Sequence, residues 1–76
     1  MKIRWGHGWP YTAAAPARQG GEWHLSVSSK GPDYPWVWLV THSDNRSLTS
    51  GGTSSTPNFA KTQAETAAKH LDEQAP

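Results

Sequence analysis

The stretch that decides the fold runs from Glu22 to Val27, EWHLSV, and continues after a short gap from Trp36 to Thr41, WVWLVT. In the first run Trp23, Leu25 and Val27 alternate with polar residues, which is typical of a strand with one buried face. The second run is rich in β-forming residues and apolar on both faces, as expected of a central strand. With a turn over SKGPDY, residues 29–34, the two runs predict an antiparallel hairpin.

Working outward toward the C-terminus, the sequence predicts a helix. Residues 62–65, TQAE, form a capping box in which the threonine hydroxyl and the glutamate carboxylate satisfy free N–H groups of the first turn. Ala64, Ala67, Ala68 and Leu71 then recur at the spacing of one helical face. This small-residue face fits against bulky side chains of a sheet.

The segment between hairpin and helix predicts a short third strand over residues 46–50, followed by a flexible polar loop over residues 51–55, GGTSS. Phe59 is expected to pack where the helix begins. The hairpin is expected to pair Val27 with Trp36, Leu25 with Trp38 and Trp23 with Val40. The predicted fold class is therefore α+β, a three-stranded antiparallel sheet with one C-terminal helix packed on one face.

The first 21 residues predict an extended N-terminal arm and linker, which leaves residues 22–76 as the sheet-plus-helix domain. Residues 2–5 have the composition of a short edge strand, but glycine and proline follow at once, and residues 12–21 resemble a linker. The outer sheet face, with Val37 and Leu39, is too apolar to stay bare. Three alternatives follow: the arm, a second copy or a partner covers that face.

Composition excludes several classes of function. The chain has 76 residues, no cysteine and a formal net charge of +1, so we expect one domain, no disulfide and no thiolate metal site. No apolar run approaches the roughly 20 residues of a membrane helix, and the N-terminus lacks the apolar stretch of a signal peptide. A cytoplasmic protein without a membrane partner is expected. The weak positive charge also argues against a dedicated nucleic-acid binder.

No catalytic or metal-binding constellation is expected. The four histidines lack the i, i+3 or i, i+4 spacing that puts two ligands on one helix face. Residues 41–44, THSD, contain the side chains of a nucleophile–base pair, but neighbouring strand residues point to opposite faces. We therefore expect no enzyme activity and no cofactor.

The order of these segments resembles the arm-binding domains of tyrosine integrases. The resemblance rests on residues 22–27, residues 36–40 and the helix start FAKTQAE at residues 59–65. It implies a three-stranded sheet whose outer face lies in the DNA major groove, and here that face would present His24, Ser26, Val37, Leu39 and Thr41. The chain also resembles short, Trp-rich, cysteine-free proteins of actinobacteria and their phages, which implies an accessory protein acting on a host protein.

The five tryptophans are the main clue to function, because so much aromatic surface in a short chain serves a core, an interface or both. The leading prediction is a non-enzymatic module that binds another protein. Its expected contact residues are Trp5, Trp9, Tyr11, His24, Val37, Leu39 and Arg46. The alternative is nucleic-acid binding through the sheet, with phosphate contacts from Arg4, Arg18, Lys30 and Arg46. A structural homodimer is the second alternative.

Overall fold

A computed structural model describes residues 2–74 and contains one antiparallel sheet of five strands and one helix. The strands follow one another in the sheet in chain order, so the sheet is a simple meander. Its elements are β1 (Arg4–Trp5), β2 (Tyr11–Pro16), β3 (Glu22–Ser28), β4 (Trp36–His42), β5 (Thr49–Ser54) and α1 (Pro57–Gln74). The predicted α+β class with a C-terminal helix is confirmed, whereas the prediction of three strands is wrong.

The core lies between the central strands and the helix. The inner sheet face, which is the face toward α1, contributes bulky buried side chains, while α1 contributes Ala60, Ala64 and Ala68. Small helix residues let the helix approach the sheet closely, so large and small side chains interdigitate. Ala67 and Leu71 flank this contact and are partly buried. The buried sheet residues are Trp23, Leu25, Val27, Trp38 and Val40.

The β3–β4 hairpin is shifted by two residues from the expected register. Val27 pairs with Trp38 rather than with Trp36. Trp36 lies beyond the end of β3 and pairs only with Ser54 of β5. The connection is longer than expected because the Ser29 hydroxyl and the turn after it form their own hydrogen bonds. A shift of two residues keeps every side chain on its expected face.

The segment expected to be an extended arm and linker supplies the two additional strands. Strand β2 pairs with β3 along its whole length, and β1 pairs with β2 at Ala13 and Ala14. The expected linker residues Gly20 and Gly21 form the β2–β3 turn, where both have positive φ angles (105° and 76°) that favour glycine. The arm therefore extends the sheet sideways, and the alternative in which it covers the outer face is wrong.

The expected polar loop GGTSS lies mostly within β5, which starts at Thr49, not at residue 46. The glycines serve packing there. A Cβ on Gly52 would lie 2.9 Å from Cζ2 of the Trp38 indole, so only glycine leaves room for that ring. The preceding turn is closed by Asn45, whose side-chain oxygen accepts hydrogen bonds from Ser47.

The helix starts at Pro57, five residues before the capping box. The Thr56 hydroxyl accepts the Phe59 N–H at 3.1 Å, so Thr56 is the N-cap and Pro57 takes the first helical position that proline favours. Thr62 lies inside the helix, where its hydroxyl donates to the Asn58 carbonyl. The predicted capping box is wrong because Thr56, six residues before Thr62, caps the helix.

Candidate protein-binding surface

Three of the five tryptophans fasten the helix to the sheet. Each of their indole N–H groups donates to a side-chain oxygen of α1: Trp5 to Glu65 at 2.7 Å, Trp23 to Asp72 at 3.1 Å and Trp38 to Gln63 at 3.1 Å. A buried indole N–H needs such an acceptor, because leaving it unpaired costs about 1–3 kcal/mol. These three rings belong to the structural frame, so Trp5 is less accessible to a partner than the sequence indicated.

Asp72 anchors the far end of the helix. One of its carboxylate oxygens accepts the Arg18 backbone N–H at 2.8 Å as well as the Trp23 indole N–H. The Arg18 N–H is the main cause that lowers the pKa of Asp72 below its usual value of 3.8; desolvation opposes it, and the Trp23 indole lowers it further. The ionised carboxylate thus joins the β2–β3 turn to α1.

The other two tryptophans form a separate group with Tyr11 at one end of the sheet, and we call Trp9, Tyr11 and Trp36 the aromatic cluster. Trp9 meets Trp36 edge to face with ring centroids 5.2 Å apart, and it meets Tyr11 in the same way at 6.0 Å. Tyr11 and Trp36 complete the triangle at 6.1 Å. These are favourable aromatic geometries, so the three rings support one another, while Tyr11 and Trp36 also pack against the core.

The aromatic cluster presents unused hydrogen-bond donors. Within residues 2–74, neither the Trp9 nor the Trp36 indole N–H has an acceptor, in contrast to the three structural tryptophans. Trp9 is 60% exposed. Both rings line an open hollow of about 430 Å³, together with Lys30, Pro32 and the backbone between them. The hollow is thus lined by two aromatic residues whose N–H groups have no acceptor within residues 2–74.

Positive charge flanks the aromatic cluster. The Lys61 ammonium lies 4.1 Å from the centroid of the Tyr11 ring and 5.7 Å from that of Trp5, both within cation–π range. Lys30 lies in the hollow itself. An electron-rich partner with carbonyl or other acceptor oxygens suits this surface better than a cationic one.

The outer sheet face forms a second, distinct surface. Val37 and Leu39 are each 45% exposed there. Their cross-strand neighbours on this face are Ser26, Ser28, Gly51 and Thr53, with His24 exposed one row away. The centre of the face is thus mildly apolar and is surrounded mainly by small side chains.

The structure divides the expected contact residues among several places. Trp9 and Tyr11 meet in the aromatic cluster, whereas His24, Val37 and Leu39 share the outer face. Arg46 is exposed in the β4–β5 turn, at the opposite end of β4 from the aromatic cluster. These seven residues therefore do not form one continuous surface.

The four basic residues of the nucleic-acid alternative are also dispersed. Arg4 lies on an edge strand and Lys30 in the β3–β4 connection, while Arg18 and Arg46 lie in turns at the other end of the sheet. A backbone-tracking groove would need these charges along one line.

Trp36 is the member of the aromatic cluster that the sequence does not predict as a contact residue. It was assigned to the buried face opposite Val27, and the two-residue shift instead carries it past the end of β3 to meet Trp9. The available signal was the pair of proline- and glycine-rich connections at residues 6–10 and 29–35, which meet at one end of an antiparallel sheet.

Residues 41–44, whose side chains include those of a nucleophile–base pair, serve as structural links. The His42 Nδ1 accepts the Asp44 N–H at 3.1 Å, so Nε2 carries the proton and donates to the Gly20 carbonyl at 3.0 Å. The Ser43 hydroxyl accepts the Glu22 N–H at 2.9 Å. The His42–Gly20 contact ties the end of β4 to the β2–β3 turn, and the Ser43–Glu22 contact ties it to the start of β3.

The described part of the chain offers neither a metal site nor a membrane-spanning helix. Between residues 2 and 74, no group of three or more His, Asp or Glu side chains is placed to hold a metal ion. In the same range, no helix combines the length and the apolar character needed to cross a bilayer.

Comparison of the chain with protein-family models, with curated proteins and with solved structures gave no match. The assignment of a function therefore rests on the geometry of this molecule.

Proposed function

We propose that this chain is a non-enzymatic protein-binding module that holds an extended segment of its partner against the aromatic cluster. The observation that carries the proposal is the pair of neighbouring indole rings, Trp9 and Trp36, whose N–H groups have no acceptor in residues 2–74. The other three indoles have acceptors within the chain, so these two accessible donors are available to an acceptor on a partner.

An extended polypeptide has the required chemistry. Its backbone carbonyl groups are not used in its own hydrogen bonds, and in the polyproline II conformation it presents them regularly beside apolar rings. Aromatic-lined hollows bind such segments, with the aromatic faces supplying apolar contact. The hollow beside Trp9 and Trp36 supplies both features. A phage-type accessory protein acting on a host protein is the biological role we propose for such a module.

The test is selection of binders from a random peptide display library on the immobilised full chain. Selected peptides are expected to lose at least about 10-fold in affinity on Trp9→Ala and several-fold on Trp9→Phe, which keeps a ring but removes the N–H donor. The matched control is Phe59→Ala, because Phe59 is a comparably exposed aromatic side chain, at 55%, outside the aromatic cluster.

Equal affinity of the selected peptides for wild type and Trp9→Ala would contradict the proposal. Binding of single-stranded oligonucleotides with an affinity that falls steeply with salt would instead support the nucleic-acid alternative, since phosphate contacts release counterions.

A further inference from the structure

The two edges of the sheet expose different backbone groups, and the hydrogen-bond alternation shows which. The Ser43 N–H donates to the Glu22 carbonyl at 2.9 Å. Because residues on a strand face their two neighbours alternately, the odd-numbered residues of β4 bond to β3 and the even-numbered ones to β5. The β4–β5 register then leaves Thr49, Gly51 and Thr53 with their N–H and C=O groups directed away from the sheet.

The same alternation of hydrogen bonds accounts for a backbone contact at the β1 edge. It directs Thr12 of β2 toward β1, where the Thr12 carbonyl accepts the Gly6 N–H at 2.9 Å. The last β2 residue directed outward is Pro16, which has no N–H to donate. This edge is therefore covered by β1 and ended by proline.

Strand β5 has none of these protections. It is six residues long, and residues 49–54, TSGGTS, contain no charge and no proline. In residues 2–74 no further strand lies beside it. An uncharged edge of this length is a template for another strand, and proteins usually block such edges.

An apolar groove runs along the side of the helix that faces β5. Lys61 and Glu65 point from α1 toward the β1–β2 side, where they contact Tyr11 and Trp5. The opposite flank of α1 and the Trp38 ring, which lies over Gly52, enclose a groove of about 470 Å³. Phe59 lines it and is 55% exposed. The remaining lining residues are Thr62, Gln63, Thr66, Ala67 and His70.

We propose that two copies of the chain pair antiparallel through their β5 edges, around a two-fold axis at Gly51. A two-fold interface sets the same surface against itself, so like charges along it would repel. The edge and the groove contain no Asp, Glu, Lys or Arg among their described residues. The outward row Thr49–Gly51–Thr53 is also the same from either end, so each threonine meets a threonine and glycine meets glycine.

The pairing would add backbone hydrogen bonds along the edge and side-chain contacts on both faces of the sheet. In this register the three outward residues each exchange both backbone hydrogen bonds with the second copy. On the outer face, the Leu39 side chain lies over Gly51, where an added Cβ would be 3.4 Å from its Cδ1. Leu39 would therefore lie beside the β5 strand of the second copy, across the axis. On the inner face the two helices would lie three strand spacings apart, roughly 14 Å. Phe59 and its copy would occupy the gap between the two grooves.

A charge test distinguishes this pairing from other contacts. In the proposed register Thr49 lies opposite Thr53 of the second copy. Thr49→Lys with Thr53→Lys would place like charges together, whereas Thr49→Lys with Thr53→Glu would place opposite charges together. Both variants lose the Thr49 hydroxyl contact with the Val40 carbonyl equally, so they are matched in that respect.

The measurement is sedimentation of the full chain over a concentration series, with circular dichroism to show that each variant is folded. The wild type is expected to form a dimer, the double-lysine variant to raise the dimer dissociation constant at least about 100-fold, and the Lys/Glu variant to stay within about 10-fold of wild type. A wild type that remains monomeric at about 1 mM would overturn the proposal. So would equal weakening by both variants, which would indicate a face-to-face contact or a foreign strand as the natural occupant of the edge.

Discussion

The two edges of this sheet differ in how far they are protected against pairing with another strand. At the β1 edge the strand is two residues long, Pro16 ends its neighbour, and Trp5 is held by Glu65 of the helix. At the β5 edge a strand of six uncharged residues has no neighbouring strand on its outer side within residues 2–74, and it lies beside an apolar groove. Natural edges are usually shortened, charged or covered. The chain has such protection at the β1 edge only, so we assign pairing with a second copy to the β5 edge.

The difference has a physical origin in the core. Trp38 needs space on β5, and glycine at position 52 supplies it. On the other side the large ring, Trp5, belongs to the edge strand itself and packs beneath Lys61. The β5 edge therefore consists of small residues that allow close approach, whereas the β1 edge is covered by the Trp5 side chain.

The largest effect is expected at the open edge on Gly52→Ala. The new Cβ would lie within about 3 Å of the Trp38 indole, so the ring must move away from Gln63, at a cost of about 1–3 kcal/mol in the free energy of unfolding. Urea unfolding measures this. Gly8→Ala is the control, because an added Cβ there meets no atom within 4 Å. Equal stability of the two variants would show that β5 does not depend on this close approach.

A smaller effect is expected at the sealed edge. Glu65→Ala removes the acceptor of the half-buried Trp5 N–H and should reduce the free energy of unfolding by about 1 kcal/mol. Glu65→Gln keeps an acceptor oxygen and should recover most of that loss. Thermal unfolding of both variants compares them, and an unchanged alanine variant would show that β1 is held by strand pairing alone.

The smallest effect is expected from the titration of Asp72, which accepts hydrogen bonds from Arg18 and Trp23. Since the folded pKa of Asp72 lies below 3.8, its ionised form stabilises the fold at higher pH, and this contribution is lost as the pH falls below 3.8 through the lowered pKa. Solvent screening limits it to a few tenths of a kcal/mol. The midpoint of thermal unfolding measured between about pH 2 and pH 6 should show a slope that Asp72→Asn reduces. An identical slope in both proteins would contradict the role given to Asp72.

The central part of the fold could be predicted from the sequence, and the edges could not. The alternation around Leu25 and the alanine face of the helix indicate the hairpin and the core, and both are confirmed. Residues 12–16, TAAAP, have weak strand propensity, and they form β2 because β3 offers a full hydrogen-bonding partner. The glycines of β5 likewise indicate a loop until the Trp38 ring is placed over them.

The candidate site was only partly predictable for a related reason. The interleaved aromatic and basic residues of the segment 2–11 predict Trp9 and Tyr11 as contact residues, but their association with Trp36 depends on the length of the β3–β4 connection. Local hydrogen bonds of Ser29 set that length, and strand periodicity carries no information about them.

The proposed pairing of two copies through β5 is best tested by amide hydrogen exchange along β5 at several protein concentrations. At high dilution we expect an alternating pattern, with the N–H groups of Ser50, Gly52 and Ser54 protected by β4 and those of Thr49, Gly51 and Thr53 exchanging fast. At high concentration the outward three should become protected as the second copy binds. An alternating pattern that persists at every concentration would contradict the account, as would outward amides that are already protected in the monomer.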